Sequence, residues 1–276
     1  MSRLNAARAG VGSPLTPALP MLLENQVALV TGASRGAGAA IARRLARAGA
    51  AVCVNYLTSA DRAEAVVREI EDAGGRAFAH PADVTDPAAV ADMVEATVAR
   101  YGRVDVAVSN ALPRYAFDPA APYTSVATVT MDHVRAQVDG AVGGALHLAQ
   151  ALLPVFQAQG GGALVTVGTN LVYNPVVTYH DYTAAKAALV GLTRTLAAEL
   201  GPHGVRVNLV AGGLLETTDA SAVTTPEVFA YIAQATPLRR TVTPEQFADA
   251  VLFFASPLSA AVTGQCLAVD GGLTMP

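Results

Sequence analysis

Tyr182 and Lys186 are a pair of side chains whose types and spacing could move a proton. They lie four positions apart in the segment Tyr182-Thr183-Ala184-Ala185-Lys186, and residues four apart share one face of a helix. A cation beside a phenol lowers the pKa of the phenol from about 10, which makes it a better proton donor and acceptor near neutrality. Thr169 adds a hydroxyl 13 positions before Tyr182. The same spacing arises by chance on amphipathic helices, so the pair needs support from elsewhere in the chain.

A glycine-rich segment near the start of the chain could bind a phosphate. It reads Thr31-Gly32-Ala33-Ser34-Arg35-Gly36-Ala37-Gly38 and lies between an apolar run, 26–30, and a helical pattern, 39–45. The pattern predicts a buried strand, a glycine turn and a helix. Glycines let the backbone approach a pyrophosphate, and the free amides of the helix N-terminus supply donors and partial positive charge. The alternative is a tight strand-to-helix turn that binds nothing.

The two motifs, in this order, resemble the signature of the short-chain dehydrogenase/reductase family, Thr-Gly-x-x-x-Gly-x-Gly followed by Tyr-x-x-x-Lys. The resemblance covers residues 26–272 and implies an oxidoreductase that uses a nicotinamide nucleotide. Further matches stand where this family has them: Asp83-Val84, Ser109-Asn110-Ala111, Gly204-Val205-Arg206-Val207-Asn208, Thr263-Gly264-Gln265 and Val269-Asp270-Gly271-Gly272.

The resemblance implies catalytic roles for three residues. Tyr182 would protonate the alkoxide that develops when a carbonyl is reduced, and Thr169 would hydrogen-bond the same oxygen. Lys186 would hold the hydroxyls of the nicotinamide ribose and lower the pKa of Tyr182. For Thr169 the alternative is packing of a β-branched residue at the end of a strand.

The resemblance also implies which residues bind the cofactor. Asp83 would accept a hydrogen bond from the adenine amino group, and Asn110 and Ala111 would line the adenosine ribose. Leu215 and Thr217 would orient the carboxamide. The full set of implied cofactor-binding residues is Gly32, Ser34, Arg35, Gly36, Ala37, Gly38, Asn55, Tyr56, Asp83, Val84, Asn110, Ala111, Tyr182, Lys186, Gly213, Leu215 and Thr217.

The end of the second predicted strand favours NADP(H) over NAD(H). Folds selective for NAD place an acidic residue there against the ribose hydroxyls, whereas this chain reads Val54-Asn55-Tyr56. No carboxylate would repel a 2′-phosphate, and Arg35 in the glycine loop could pair with one. The alternative for Arg35 is a solvated charge on a loop.

Several positions depart from the family pattern, among them Ser109, which replaces an asparagine. Thr169 replaces the more usual serine and adds a methyl group to the site. Ala141 stands where the family has an asparagine that holds a water behind the lysine, and Gln137, one helical turn earlier, could take over that role. Leu112 replaces a glycine and adds bulk near the nicotinamide, and Gly212 replaces a proline.

Composition limits the classes of function. The 276 residues are 52% hydrophobic and 14% charged, with a net charge of −4 and a pI near 5.7. These values argue against a surface for nucleic acid or anionic membrane, and the few charges suggest surface buried between subunits. Cys53 and Cys266 are too few for a disulfide framework and show no zinc spacing. We therefore expect no metal and a cytoplasmic location.

Alternation of apolar strands with helical patterns predicts the fold class. We expect an α/β, Rossmann-like doubly wound fold with a seven-stranded parallel sheet and helices on both faces. Ligands would bind at the carboxyl ends of the strands. The predicted strands are 27–30, 51–55, 77–79, 104–109, 163–167, 205–210 and 266–269, and the predicted helices are 39–48, 60–73, 87–101, 131–159, 182–200 and 244–255.

The chain is predicted to hold a single catalytic domain, residues 25–276, preceded by a disordered arm, residues 1–24. The arm carries Pro14, Pro17 and Pro20 and shows no periodicity, so neither a signal-peptide core nor a membrane helix fits it.

The leading functional hypothesis is an NADPH-dependent reductase of 3-oxoacyl thioesters. The segment Pro237-Leu238-Arg239-Arg240 and the closing residues resemble 3-oxoacyl-acyl-carrier-protein reductases, although 157–162 lacks the basic residues that would dock an acidic carrier. The alternatives are an enzyme of another small ketone, alcohol or sugar, and an NADP-binding regulatory protein with impaired catalysis. Arg114, Tyr115 and Tyr179 are candidate substrate contacts, and 113–129 and 216–237 would shape the pocket. The resemblance also implies a homotetramer.

Overall fold

One parallel sheet forms the centre of the structure, a computed structural model that describes residues 21–113, 115, 117–216 and 218–276. Within these residues the sheet has seven strands, in the order β3-β2-β1-β4-β5-β6-β7, and all neighbours are parallel. The strands are β1 (Val27–Val30), β2 (Ala51–Tyr56), β3 (Arg76–Pro81), β4 (Val106–Ser109), β5 (Gly162–Thr169), β6 (Val205–Gly212) and β7 (Cys266–Val269).

Helices cover both faces of the sheet, which confirms the predicted α/β doubly wound fold. Their bounds are α1 (Gly36–Arg47), α2 (Ala60–Asp72), α3 (Pro87–Tyr101), α4 (Met131–Val138), α5 (Gly144–Gln159), α6 (His180–Leu200), α7 (Pro226–Ala235) and α8 (Pro244–Ala255). The core on one face is made with α1, α2 and α8, and the core on the other with α3, α5 and α6.

Strand side chains alternate between the two cores. Val30 of β1 lies in the core of α1, α2 and α8, whereas its neighbour Leu29 lies in the opposite core. Val54 and Cys53 of β2 divide in the same way. Because successive side chains of a strand point to opposite faces, a strand buried on both faces must be apolar throughout, which explains the continuous apolar runs in the sequence.

The segment 131–159, predicted as one helix, is interrupted by a turn of different geometry that the sequence does not predict. A single π-helical turn, Asp139–Gly143, separates α4 from α5, and such turns are frequent at functional sites. Ala141, which replaces the family asparagine, is buried within this turn. The sequence also failed to predict α7, which lies inside the segment 216–237.

The ordered fold begins before residue 25. Residues 21–24 form a turn, Leu23 is fully buried in the core of α1 and α8, and its amide donates to the carbonyl of Ala48 at 2.8 Å. This part of the predicted arm is therefore structured, and residues 1–20 lie outside the described residues.

The segment Met131–Gln159 is long and apolar enough to cross a membrane by length and composition. In the structure, α5 supplies Leu148, Leu152 and Phe156 to the core shared with α3 and α6, and 39% of the apolar window is buried. A core helix passes the same test of length and hydropathy, and its inward face accounts for the apolar character here.

Candidate active site

The residues that could bind a ligand or transfer a proton lie together at the carboxyl ends of the central strands. The glycine loop follows β1, Asn110 follows β4, Thr169 ends β5 and Gly213 follows β6. Tyr182 lies in the first turn of α6, which follows β5 through a short loop. Parallel strands bring their carboxyl ends to one edge, so the sheet collects residues far apart in sequence.

Thr169 and Tyr182 lie together in a buried position. Their side chains are 6% and 9% exposed, and a hydrogen bond from Thr169 favours the ionised form of Tyr182. Burial has the larger effect and raises the pKa of Tyr182 to about 12. The lowered tyrosine pKa expected from the sequence is therefore not what the structure shows, because removal from water penalises the phenolate.

Lys186 is the only lysine in the chain, and its ammonium is buried at the same site. Its Nζ lies 5.9 Å from the centroid of the Tyr182 ring and donates a hydrogen bond of 2.6 Å to the carbonyl of Val167. Burial lowers the pKa of Lys186 to about 8. An ammonium with one carbonyl partner keeps donor capacity for a further ligand.

The glycine loop forms a cradle that side chains would block. A Cβ at Gly38 would lie 2.3 Å from the carbonyl oxygen of Gly32, and a Cβ at Gly32 would lie 2.8 Å from the Cα of Ala111. Gly36 adopts a φ of +54°. No side chain among the described residues caps the N-terminus of α1, so its first amides are available to an anion. These features fit the pyrophosphate of a dinucleotide.

The side chain of Asn55 holds the glycine loop. Its side chain is 1% exposed. The Oδ1 atom accepts from the amide of Gly32 at 3.0 Å, and Nδ2 lies within donor distance of the carbonyls of His80 and Ala82. Both polar atoms of its side chain therefore have partners within the protein, and the cofactor contact predicted for Asn55 stays a prediction. Tyr56 is half-buried and packs against the core.

Asn110 fastens the same loop from the other side. Its Nδ2 donates to the carbonyls of Thr31 and Gly32 at 2.9 and 3.1 Å, and the amides of Asn110 and Ala111 both donate to the hydroxyl of Thr31 at 3.0 Å. β4 therefore fixes the loop after β1.

The adenine contact predicted for Asp83 stays a prediction. Its Oδ1 accepts from the amide and hydroxyl of Thr85, at 2.9 and 2.7 Å. The neighbouring carbonyl of Val84 contacts Nδ1 of His147 at 3.0 Å.

The segment after β6 lies against the glycine loop. Leu215 forms an isolated parallel bridge with Val242. Asp219 pairs with Arg35 and also with Arg62 of α2. Thr217, predicted to orient the carboxamide, and Arg114, a candidate substrate contact, lie outside the described residues.

Aromatic rings surround Tyr182. The ring of Tyr115 stacks on that of Tyr182 with 5.5 Å between centroids, and the ring of Phe117 meets it edge-on at 5.2 Å. The hydroxyl of Tyr115 donates to Oδ1 of Asp181, a carboxylate that is 2% exposed. We name this group the aromatic cluster; its residues are Leu112, Tyr115, Phe117, Tyr123, Leu171, Val177, Tyr179 and Tyr182.

Sequence reasoning selected Tyr115, Tyr179 and Leu112 as residues near the substrate or cofactor but missed other members of this site. Asp181 had a local signal, since it directly precedes Tyr182. Phe117 and Tyr123 come from a long loop whose path the sequence does not specify.

Gln137 occupies an unusual environment on α4. The side chain is 4% exposed, and its Oε1 has no hydrogen-bond partner among the described residues. A buried amide oxygen without a partner is unfavourable by roughly 1–3 kcal/mol, so it is expected to bind a water or ligand. The role suggested for Gln137 by the sequence stays a prediction.

Known proteins share this arrangement over most of their length. A family model described as enoyl-(acyl carrier protein) reductase matches residues 32–274. Cyclohexanol dehydrogenase of Rhodococcus sp. (strain TK6) is 38% identical over 273 residues, covering 94% of this chain and 99% of that protein. The 3-oxoacyl-[acyl-carrier-protein] reductase of Synechocystis sp. is 35% identical, covering 92% of this chain and 98% of that protein.

Solved structures give the same result. A 7α-hydroxysteroid dehydrogenase complexed with NADH and 7-oxo glycochenodeoxycholic acid has a TM-score of 0.83 and 35% identity, covering 91% of this chain and 95% of its own. A short-chain dehydrogenase of Burkholderia cenocepacia J2315 in complex with NADP has a TM-score of 0.80 and 34% identity, covering 91% of this chain and 99% of its own. The chain belongs to the short-chain dehydrogenase/reductase family. It is an oxidoreductase of alcohol or carbonyl substrates that uses a nicotinamide nucleotide.

Proposed function

We propose that this protein interconverts a ketone and a secondary alcohol with NADP(H), and that Thr169, Tyr182 and Lys186 are its catalytic residues. The observation that carries the proposal is the buried hydrogen bond between the hydroxyls of Thr169 and Tyr182, with the ammonium of Lys186 one helical turn away. Two hydroxyls and a cation at one point suit the stabilisation and protonation of an oxyanion.

Each residue has a distinct part in the mechanism. The nicotinamide, when bound, supplies the hydride in reduction and accepts it in oxidation. Tyr182 Oη donates its proton to the substrate oxygen in reduction and takes it back in oxidation. Thr169 Oγ1 hydrogen-bonds the same oxygen and stabilises the ionised form of Tyr182. Lys186 Nζ, held by the carbonyl of Val167, provides a positive charge 5.9 Å from the centroid of the Tyr182 ring.

The rest of the site supports dinucleotide binding. The glycine loop, clamped by Asn55 and Asn110, suits a pyrophosphate. The loop end of β2 presents no carboxylate, and Arg35 with Arg62 offers two cations at that end of the site. We therefore propose a preference for NADP(H) over NAD(H).

The aromatic cluster favours a cyclic, apolar ketone as substrate. Flat rings over Tyr182 offer extended apolar contact to a ring-shaped molecule. Two relatives point the same way. Cyclohexanol dehydrogenase is named for a cyclic alcohol, and the 7α-hydroxysteroid dehydrogenase structure holds a steroid, 7-oxo glycochenodeoxycholic acid. The second candidate is a 3-oxoacyl thioester, which the sequence resemblance favours and the Synechocystis relative supports.

A comparison of two ketones tests this proposal. We expect the purified protein to consume NADPH with cyclohexanone more efficiently, in kcat/KM, than with acetoacetyl-CoA, and NADH to be the poorer cofactor with either. Better turnover of acetoacetyl-CoA would replace the cyclic class with the thioester class. If NADPH binds but neither ketone is reduced and cyclohexanol is not oxidised, both substrate classes are contradicted, and a wider panel of ketones, alcohols and sugars separates another substrate from a regulatory NADP-binding protein.

We also propose that the predicted domain, extended to begin at residue 21 instead of 25, acts as one catalytic domain in the cytoplasm and assembles as a homotetramer. The low charged fraction of the chain, 14%, supports the assembly, since few charges suggest surface that is buried between subunits. Light scattering would contradict the tetramer if it found the mass of one 28.1 kDa chain.

A further inference from the structure

Two arginines from separate elements converge on one carboxylate oxygen. Oδ2 of Asp219 accepts from Nη1 of Arg62 at 2.8 Å and from Nη1 of Arg35 at 3.0 Å. Arg35 directly precedes α1 and Arg62 lies in the first turn of α2. All three side chains are about half exposed, with values of 50% for Arg35, 56% for Arg62 and 58% for Asp219.

The charges in this group do not balance. Two guanidinium groups face one carboxylate, and they hold the pKa of Asp219 below its usual range. A phosphate monoester carries a charge near −2 and three acceptor oxygens, so it matches two guanidinium groups better than a single carboxylate does. The carboxylate occupies the place where such an anion would be held most strongly.

The position of the group ties it to the cofactor loop. Thr218 lies directly over Gly36, since a Cβ added to Gly36 would be 3.8 Å from the Cβ of Thr218. Thr218 and Ser221 cap each other, with the Ser221 amide on Thr218 Oγ1 at 3.1 Å and the Thr218 amide on Ser221 Oγ at 2.9 Å. Asp219 therefore belongs to a preformed turn that rests on the phosphate-binding loop and leads to α7.

We propose that Arg35 and Arg62 together bind the 2′-phosphate of NADP(H), and that Asp219 is an intramolecular competitor which this phosphate displaces. The inference rests on the proposed preference for NADP(H). It adds a second cationic ligand, Arg62, and a counter-anion, Asp219, from the turn that leads to α7. NAD(H) has no group that displaces Asp219. Binding of NADP(H) thus releases the turn 218–221 from the cofactor loop, which couples the cofactor to the segment before α7.

The test is calorimetric titration of the full chain with 2′,5′-ADP, NADP⁺ and NAD⁺, which needs no catalysis. Arg62→Gln removes a phosphate ligand, and we expect it to weaken 2′,5′-ADP and NADP⁺ about tenfold while leaving NAD⁺ unchanged. Asp219→Asn removes the competitor, and we expect it to tighten the two phosphate-bearing ligands about fivefold, in the range of exposed ion pairs. Arg68→Gln, six positions along α2 and exposed, is the matched control and should change nothing.

The outcomes separate the two proposals. If wild type prefers NADP⁺ but Arg62→Gln and Asp219→Asn leave the affinity for 2′,5′-ADP unchanged, the inference is overturned while the cofactor preference stands. Weaker binding of 2′,5′-ADP to Asp219→Asn would show that Asp219 supports the site instead of competing for it, which also overturns the inference. If wild type binds NAD⁺ more tightly than NADP⁺, the cofactor preference fails. Asp219→Ala provides a second variant if Asp219→Asn does not fold.

Discussion

At the scale of single residues, the site depends on an ammonium and a phenol held out of water. Burial disfavours the charged form of both groups, so the pKa of Lys186 falls to about 8 and the pKa of Tyr182 rises to about 12. The hydrogen bond from Thr169 lowers the pKa of Tyr182 and so opposes part of the rise that burial causes. In this structure the phenol is a proton donor near neutrality, which suits the direction of carbonyl reduction.

The pKa of Lys186 can be measured directly because the chain has no other lysine. We expect protein labelled with ¹³C-lysine, without added cofactor, to show one side-chain resonance that titrates with a midpoint of about 8 instead of 10.5. Below that midpoint the group is a charged donor to the carbonyl of Val167, and above it the charge is lost. A midpoint at or above the ordinary lysine value would contradict the buried position. A short lysine-containing peptide labelled in the same way serves as the reference.

At the scale of elements, the glycine loop gets its shape from its neighbours. Asn55 of β2 and Asn110 after β4 hold it from opposite sides, and Gly32 and Gly38 allow backbones to meet at distances that no Cβ permits. The sequence predicts the strand, the loop and the helix correctly because an apolar run, a glycine-rich segment and a helical pattern follow one another along the chain. It does not show that Asn55 is a clamp, since that depends on how β2 and β3 lie beside the loop.

Gly38→Ala tests the tightness of this packing. The added Cβ would lie 2.3 Å from the carbonyl oxygen of Gly32 and 2.5 Å from Nδ2 of Asn110. We expect the free energy of unfolding to fall by about 2–3 kcal/mol and NADP⁺ binding to be lost. Urea unfolding and calorimetry give the two values.

Gly191→Ala is the matched control for Gly38→Ala. Gly191 lies inside α6, is exposed and has nothing within 4 Å of an added Cβ, so alanine should stabilise the protein by about 0.5 kcal/mol. Wild-type stability and cofactor binding in Gly38→Ala would mean that the loop is looser than the structure shows.

At the scale of the whole molecule, the sequence predicts what depends on local pattern. β1, β7, α3 and α8 have the predicted bounds, because the period of apolar residues and the turn residues around them are local signals. The parallel sheet with helices on both faces follows from the alternation of strand and helix patterns along the chain.

Features that depend on distant contacts could not be predicted from the chain alone. Arg62 and Asp219 are 157 positions apart, and no pattern in the sequence pairs them. Tyr115 and Phe117 reach Tyr182 through a loop, and the π-helical turn at Asp139–Gly143 has no turn residue that distinguishes it from regular helix. These parts shape the pocket, which is why the sequence defines the chemistry better than the substrate.

The central claim is that the Tyr182 hydroxyl transfers the proton during reduction of a ketone. The most direct measurement is kcat for NADPH-dependent reduction of cyclohexanone by wild type and by Tyr182→Phe, with NADPH affinity measured for both. Tyr101→Phe, which removes a hydroxyl at the far end of α3, is the control. We predict that Tyr182→Phe lowers kcat by about 10³-fold, far more than it changes the affinity for NADPH, while Tyr101→Phe keeps wild-type activity. Turnover by Tyr182→Phe within a few-fold of wild type would contradict the assignment of Tyr182 as the proton donor.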